Sequence, residues 1–152
     1  MADMTIRIKR DATEEAKAEM QSKVRKALKA AGIQAASAAR EELQKSPKRI
    51  DTGLLRNSIT HAMDGESPAI SNYKAEKASK YTGKRPEPGT YTGVAEKEPE
   101  GKSAVYIGTN VDYAIYVHEG TDRMDPNRFL KNAIENNAGE LIDIIKEQIG
   151  ID

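Results

Sequence analysis

One stripe of apolar residues limits this chain more than any other feature. Ala16, Met20, Val24, Leu28, Ala31, Ala35, Ala38 and Leu43 recur at spacings of three, four or five, the period of one helix face. The stripe predicts a single long helix that ends near Ser46-Pro47. Unbroken, its roughly 33 residues would reach about 50 Å at 1.5 Å each. Asp11 and Thr13 offer N-cap oxygens, and Glu14 and Glu15 are acids where the helix dipole favours them. Gly32 is the expected place for a bend or break. The stripe is rich in alanine, so a partner helix can approach closely. A helix so long and so thinly apolar is expected to pack on a neighbouring subunit.

Shorter elements surround it. Met4, Ile6 and Ile8 alternate with Thr5, Arg7 and Lys9, the pattern of a half-buried strand. After a connection and a short turn or helix over residues 48–56, Asn57 to Met63 reads as a strand with Ile59, His61 and Met63 on one face. Ser103 to Gly108 reads as another, with Val105 and Ile107 facing one way. Tyr113, Tyr116 and Val117 sit at helical spacing and Gly120 suits a helix stop; a second strand is the alternative, and the helix is favoured. Asp125-Pro126 is a good helix start, followed by Leu130, Ile134, Ala138, Leu141, Ile145 and Ile149. Gly139 weakens that helix by about 1 kcal/mol relative to Ala. Between the strands, residues 64–102 hold Pro68, Pro86, Pro88 and Pro99 with five glycines. This is an extended loop or hairpin insertion, and Tyr91 to Glu96 suits one arm of a projecting hairpin. The expected fold is α+β: one domain over residues 1–152, with the long N-terminal helix and a C-terminal helix packed on a small, mainly antiparallel sheet.

Composition narrows the chemistry. Hydrophobic residues make up 38% and charged residues 32%, so the core is modest and much of the length must stay solvated or find a partner. Residues 1–50 carry 12 cationic against 7 acidic side chains, a net of +5, and residues 51–152 carry 12 against 17, a net of −5. Such halves can help copies meet head to tail. Cysteine is absent, which removes disulfides and thiolate chemistry. No secretory signal is visible at the N-terminus and no apolar run approaches the ~20 residues that span a bilayer. His61 and His118 are the only histidines. Successive residues on a helix do not face one another, so His118-Glu119 is not read as a general-base pair. Gly83-Lys84 lacks the upstream glycine of a phosphate loop. No catalytic, cofactor or metal site is expected. Lys74, Lys77, Lys80, Lys84 and Arg85, with Tyr73 and Tyr81 among them, form a basic stretch suited to DNA phosphates or to a protein partner.

Two segments stand out against this background. One is Asp51-Thr52-Gly53-Leu54-Leu55-Arg56-Asn57-Ser58-Ile59. The other runs from Val105 to Thr121, with Ile107-Gly108-Thr109 followed by Tyr113, Ala114, Tyr116, Glu119, Gly120 and Thr121. Pro126, Phe129 and Leu130 come next. In this order the segments resemble a family of small tailed-phage proteins encoded in the head–tail joining region, often called neck or putative tail-component proteins. That family's pattern is D-T-G-x-L-x-x-S-I, a variable middle, I-G-T, Y-A-x-Y-x-E-x-G-T and P-x-x-F-L. The insertion is long for the family, and Asn127-Arg128-Phe129 lacks a second proline often seen there.

The resemblance implies a structural subunit, not an enzyme. It would form a homo-oligomeric ring, six-fold or twelve-fold, in the connector, neck or upper tail of a virion assembled in the bacterial cytoplasm. Head-completion proteins on one side and tail-terminator or tail-tube proteins on the other would be its partners, with packaged DNA close by and no membrane. A nucleic-acid-binding module using residues 74–85 is the alternative. Among the motif residues, Asp51 is expected to cap the turn that follows it, Gly53 to permit a tight backbone, and Gly108 and Gly120 to end a strand and a helix. Tyr113 and Tyr116 offer flat amphipathic surface, and Glu119 and Arg56 are a candidate pair. Leu55, Thr121 and Phe129 complete the set of motif or interface candidates.

Overall fold

A computed structural model describes residues 2–7 and 14–150. In chain order the elements are β1 (Ala2–Arg7), α1 (Glu14–Glu42), α2 (Leu54–Ser58), β2 (Thr60–Met63), β3 (Asn72–Tyr73), β4 (Gly89–Thr90), β5 (Lys102–Gly108), α3 (Ala114–Glu119), α4 (Phe129–Glu135) and α5 (Ala138–Ile149). The architecture is α+β. β5 is the middle strand of an antiparallel sheet of order β1-β5-β2, with Ala2 opposite Ile107 on one side and His61 opposite Ile107 on the other. Ile8 and the proposed caps Asp11 and Thr13 lie outside the described residues.

The helix α1 runs unbroken through Gly32, contrary to the expected bend. Gly32 is buried, and a Cβ built on it would lie 2.5 Å from Val105 Cγ2 and 3.3 Å from His61 Cβ. The glycine is there so that helix and sheet can touch. Ala27, Ala31, Ala35, Ala36 and Ala39 are at most 1% exposed. They share a cluster with Val105 and Ile107 of β5, Phe129 and Ala133 of α4, and Leu141 and Ile145 of α5. From Val24 onward the stripe is therefore covered by this chain's own sheet and C-terminal helices. The first turns are exposed, from Glu14 to Glu19 and again from Gln21 to Lys23, with Met20 half-buried between them.

The C-terminal segment is two helices rather than one. α4 begins at Phe129, three residues after Pro126, and the break falls at Asn136-Asn137, before Gly139. Asn137 Nδ2 donates to the Ala133 carbonyl at 2.8 Å, a side-chain bond that competes with the helix ladder. The strand expected over residues 57–63 is likewise divided. Asn57 and Ser58 end α2, and pairing begins at Thr60. Ile59 is fully buried, and His61 and Met63 share the helix-facing side with Val105 and Ile107.

The expected projecting hairpin arm at residues 91–96 is tied back instead. The insertion's two ends, around residues 68–70 and 91–98, fold back over the other face of the sheet, which explains why Thr60 and Ala62 are buried as well as Met63. Gly65 N–H donates to the Ala95 carbonyl and Ala95 N–H to the Glu66 carbonyl, each at 2.9 Å. Tyr106 donates to Glu98 at 2.6 Å, and β3 pairs with β4. Asp64 holds the start and finish of this segment together. Its carboxylate accepts from Arg25 of α1 at 2.8 Å, from the Ala104 N–H at 3.1 Å and from the Glu98 N–H at 3.2 Å. Burial pushes the Asp64 carboxyl up, but these donors outweigh it and hold it below the usual aspartate range.

Two predictions follow from these contacts. Gly32→Ala gains about 1 kcal/mol of helix propensity but overpacks Val105, which typically costs about 1–3 kcal/mol. We expect a net loss in urea unfolding, and a smaller cost of Val105→Ala in the Gly32→Ala background than alone; additive effects would refute the close contact. Because its folded pKa is depressed, Asp64 contributes stability above its unfolded pKa that is lost as pH falls through the folded value. Asp64→Asn should cost about 1–3 kcal/mol at neutral pH, and the gap to wild type should close in strong acid. A gap independent of pH would rule out the ionised carboxylate as its source.

Candidate functional site

The two long motif segments meet at one corner of the fold. At Gly53, φ is 87°, and this left-handed turn brings the Thr52 hydroxyl, not Asp51, to the Leu54 N–H at 3.2 Å. Asp51 is therefore free to do something other than cap the following turn. It accepts from Ser79 Oγ at 2.6 Å and from the Lys80 N–H at 3.1 Å. These bonds, the serine's foremost, hold its carboxyl below the usual range. The Thr52 carbonyl accepts the Glu76 N–H at 2.8 Å, and Arg56 pairs with the Glu76 carboxylate at 2.5 Å. A Cβ on Gly53 would lie 3.2 Å from Glu76 Cγ. The first motif thus clamps the insertion.

Its far end touches the second motif. Ser58 Oγ donates to the Leu55 carbonyl at 2.6 Å and lies 2.6 Å from Thr109 Oγ1. Thr109 follows Gly108 at the end of β5 and accepts the Val111 N–H at 3.1 Å. Tyr113 lies beside the Leu55 backbone, and burial pushes its phenol up. Leu55 itself is buried.

The third motif packs under the second. At Gly120 φ is 78° and ψ is 175°, a region essentially reserved for glycine. A Cβ there would meet the Met124 carbonyl and Pro126 N at 2.9 Å. Thr121 is exposed and exchanges backbone bonds with Met124. Phe129 is fully buried, and the His118 ring stands edge-on to it at 5.3 Å. His118 Nε2 accepts the Lys131 N–H of α4 at 3.3 Å. Its Nδ1 therefore carries the hydrogen and donates to Glu119 at 2.8 Å. The neighbours do face one another, because Glu119 is the last residue of α3 and the chain turns away at Gly120. Glu119 also approaches Arg128 at 3.9 Å. The expected Arg56–Glu119 pair is absent, each residue being engaged elsewhere.

Sequence reasoning missed Asn127 and Arg49. Asn127 is buried, and its amide donates to the carbonyls of Glu42 and Pro47 at 2.9 and 3.0 Å. Arg49 reaches the Asp125 carbonyl at 2.9 Å. Together they tie the end of α1 to the segment before α4. A buried asparagine in a polar loop leaves no periodic signal.

Two of the exposed surfaces hold predicted site residues. Tyr113, Ile115 and Tyr116 on or beside α3 are 40%, 63% and 59% exposed. Beyond them a groove of about 630 Å³ lies between α3 and α4. The second surface is the basic stretch. Lys74, Lys77, Lys80, Lys84 and Arg85 are all exposed, and Tyr81 is 79% exposed with the Lys80 ammonium 5.1 Å from its ring centre. Among the described residues no group of three or more His, Asp or Glu could hold a metal ion, and no helix is long and apolar enough to cross a membrane. Compared with protein-family models, curated proteins and solved structures, the chain matches none.

Gly120→Ala should therefore destabilise by about 1–3 kcal/mol. Gly139→Ala, on an open helix face with nothing within 4 Å of its Cβ, should stabilise by up to about 1 kcal/mol. Equal effects of the two on thermal unfolding would contradict the strain assigned to Gly120.

Proposed function

We propose that this protein is a structural subunit of a ring in the head–tail connector, neck or upper tail of a tailed bacteriophage, joining head to tail during virion assembly. One observation carries the reading. The motif residues are engaged in holding one corner of the fold, through Asp51–Ser79, Arg56–Glu76 and Ser58–Thr109, while the helix built from the second motif turns Ile115 and Tyr116 outward. A fold-maintaining corner beside an exposed apolar helix suits a part that works by contact with other parts.

The mechanism is mechanical. Repeated contacts between copies build a ring, and its two faces meet head-completion and tail-terminator or tail-tube proteins. Synthesis in the host bacterial cytoplasm precedes incorporation into the virion. Electron microscopy of particles made without this chain should show heads and tails unjoined or tails incomplete. Normal virions would reject the reading.

A nucleic-acid-binding module is the second reading, favoured by Tyr81 standing in solvent among cations. Phosphate contact by Lys74, Lys77, Lys80, Lys84 and Arg85 should give DNA affinity that falls steeply with salt.

A further inference from the structure

The chain carries two surfaces of opposite character that fit one another. The first is a knuckle at residues 79–85, which holds Lys80, Lys84 and Arg85 and no acid. It is a closed turn: Gly83 N–H donates to the Ser79 carbonyl at 2.8 Å and Ser79 N–H to the Lys84 carbonyl at 2.9 Å. Asp51 grips its base, and Arg85 bonds the Glu76 carbonyl at 2.9 Å. Its tip is Tyr81. An aromatic ring flanked by long cations and held out in water on a rigid turn is the composition of an interface anchor.

The second surface is the α3–α4 groove. Ile115, Leu130 and Ile134 give it an apolar lining, while Asp112, Glu119 and Glu135 are three acids against Lys131 in the lining and Arg128 beside Glu119. Lys131 is itself 4.0 Å from Glu135. The groove is thus apolar within and net acidic around. Its volume accommodates a tyrosine ring together with the alkyl stems of flanking lysines, whose heads would remain at the wet edge.

We infer that the knuckle of one copy seats in the α3–α4 groove of a second copy, with Tyr81 against Ile115 and Leu130 and with Lys80 and Lys84 facing Asp112 and Glu135. The contact is self-complementary in chemistry but uses different patches on the two partners, as a head-to-tail contact requires. This inference rests on the reading of the protein as an assembly subunit and names the surfaces that would join its copies.

Sedimentation of the full chain tests it. Wild type should self-associate. Tyr81→Ala should weaken association at least about tenfold, the minimum expected of an anchor worth more than 1.4 kcal/mol. Lys80→Glu with Lys84→Glu, and separately Asp112→Lys with Glu135→Lys, should each weaken it similarly. All five side chains are exposed, so circular dichroism should be unchanged. Mixing the two charge-reversed chains should restore association, because each then meets a groove of opposite sign. Association unchanged in the variants, no recovery on mixing, or a wild type that stays monomeric to its solubility limit would overturn the inference. So would variants that lose only binding to a single-stranded oligonucleotide, which would assign the knuckle to nucleic acid. Variant chains that still support joined virions in microscopy would reject these surfaces and leave the neck reading standing.

Discussion

The structure depends on how closely α1 lies on the sheet. At Gly32 the helix backbone comes near enough to Val105 that a single methyl group would collide. Alanines on either side keep the remaining spacing short. With such small residues the core gains little area per side chain, and stability must come from many close contacts rather than from large buried rings. Phe129 is the only phenylalanine, and it is fully buried where α4 crosses α1. α5 packs on α1 as well, through Leu141 and Ile145, so the buried face of one helix meets the sheet and both C-terminal helices.

A thin core needs help from polar contacts. Asp64 supplies it where the insertion begins and ends and Asp51 at its middle, each by gathering backbone and side-chain donors onto one carboxylate. Charge-assisted bonds of this kind are stronger than neutral ones. They convert a proline- and glycine-rich stretch into a cover for the outer face of the sheet. Without that cover Thr60 and Ala62 would face water, and the sheet would be a single layer on one helix.

Much of this architecture was legible in the sequence. The α1 stripe, β5 and the short α3 all follow from periodicity, and Gly120 from its place after a helical run. The misreadings share one physical origin. Gly32 reads as a weak point in a helix viewed alone, but only the packed sheet reveals that glycine is required there. Asp125-Pro126 has the chemistry of a helix start, but Asn127 is drawn to the carbonyls of Glu42 and Pro47, and the helix waits until Phe129. The Arg56–Glu76 and Asp51–Ser79 partnerships join residues 20 to 28 apart in the chain, and no local rule pairs them. The α3–α4 groove is assembled from two helices that periodicity can propose but cannot orient.

The insertion is a long stretch in sequence but a set of short rings in space. Bonds at Asp64, at the Gly65–Ala95 pair, at β3–β4 and at Asp51 divide it into closed segments, each with little freedom left to lose. A flexible loop of the same length would have to surrender that freedom whenever it met another surface, at a cost of several side chains' worth of entropy. Here the loss is incurred once, during folding. Anything that meets this region meets a shape already set, and encounter need not wait for the chain to find it.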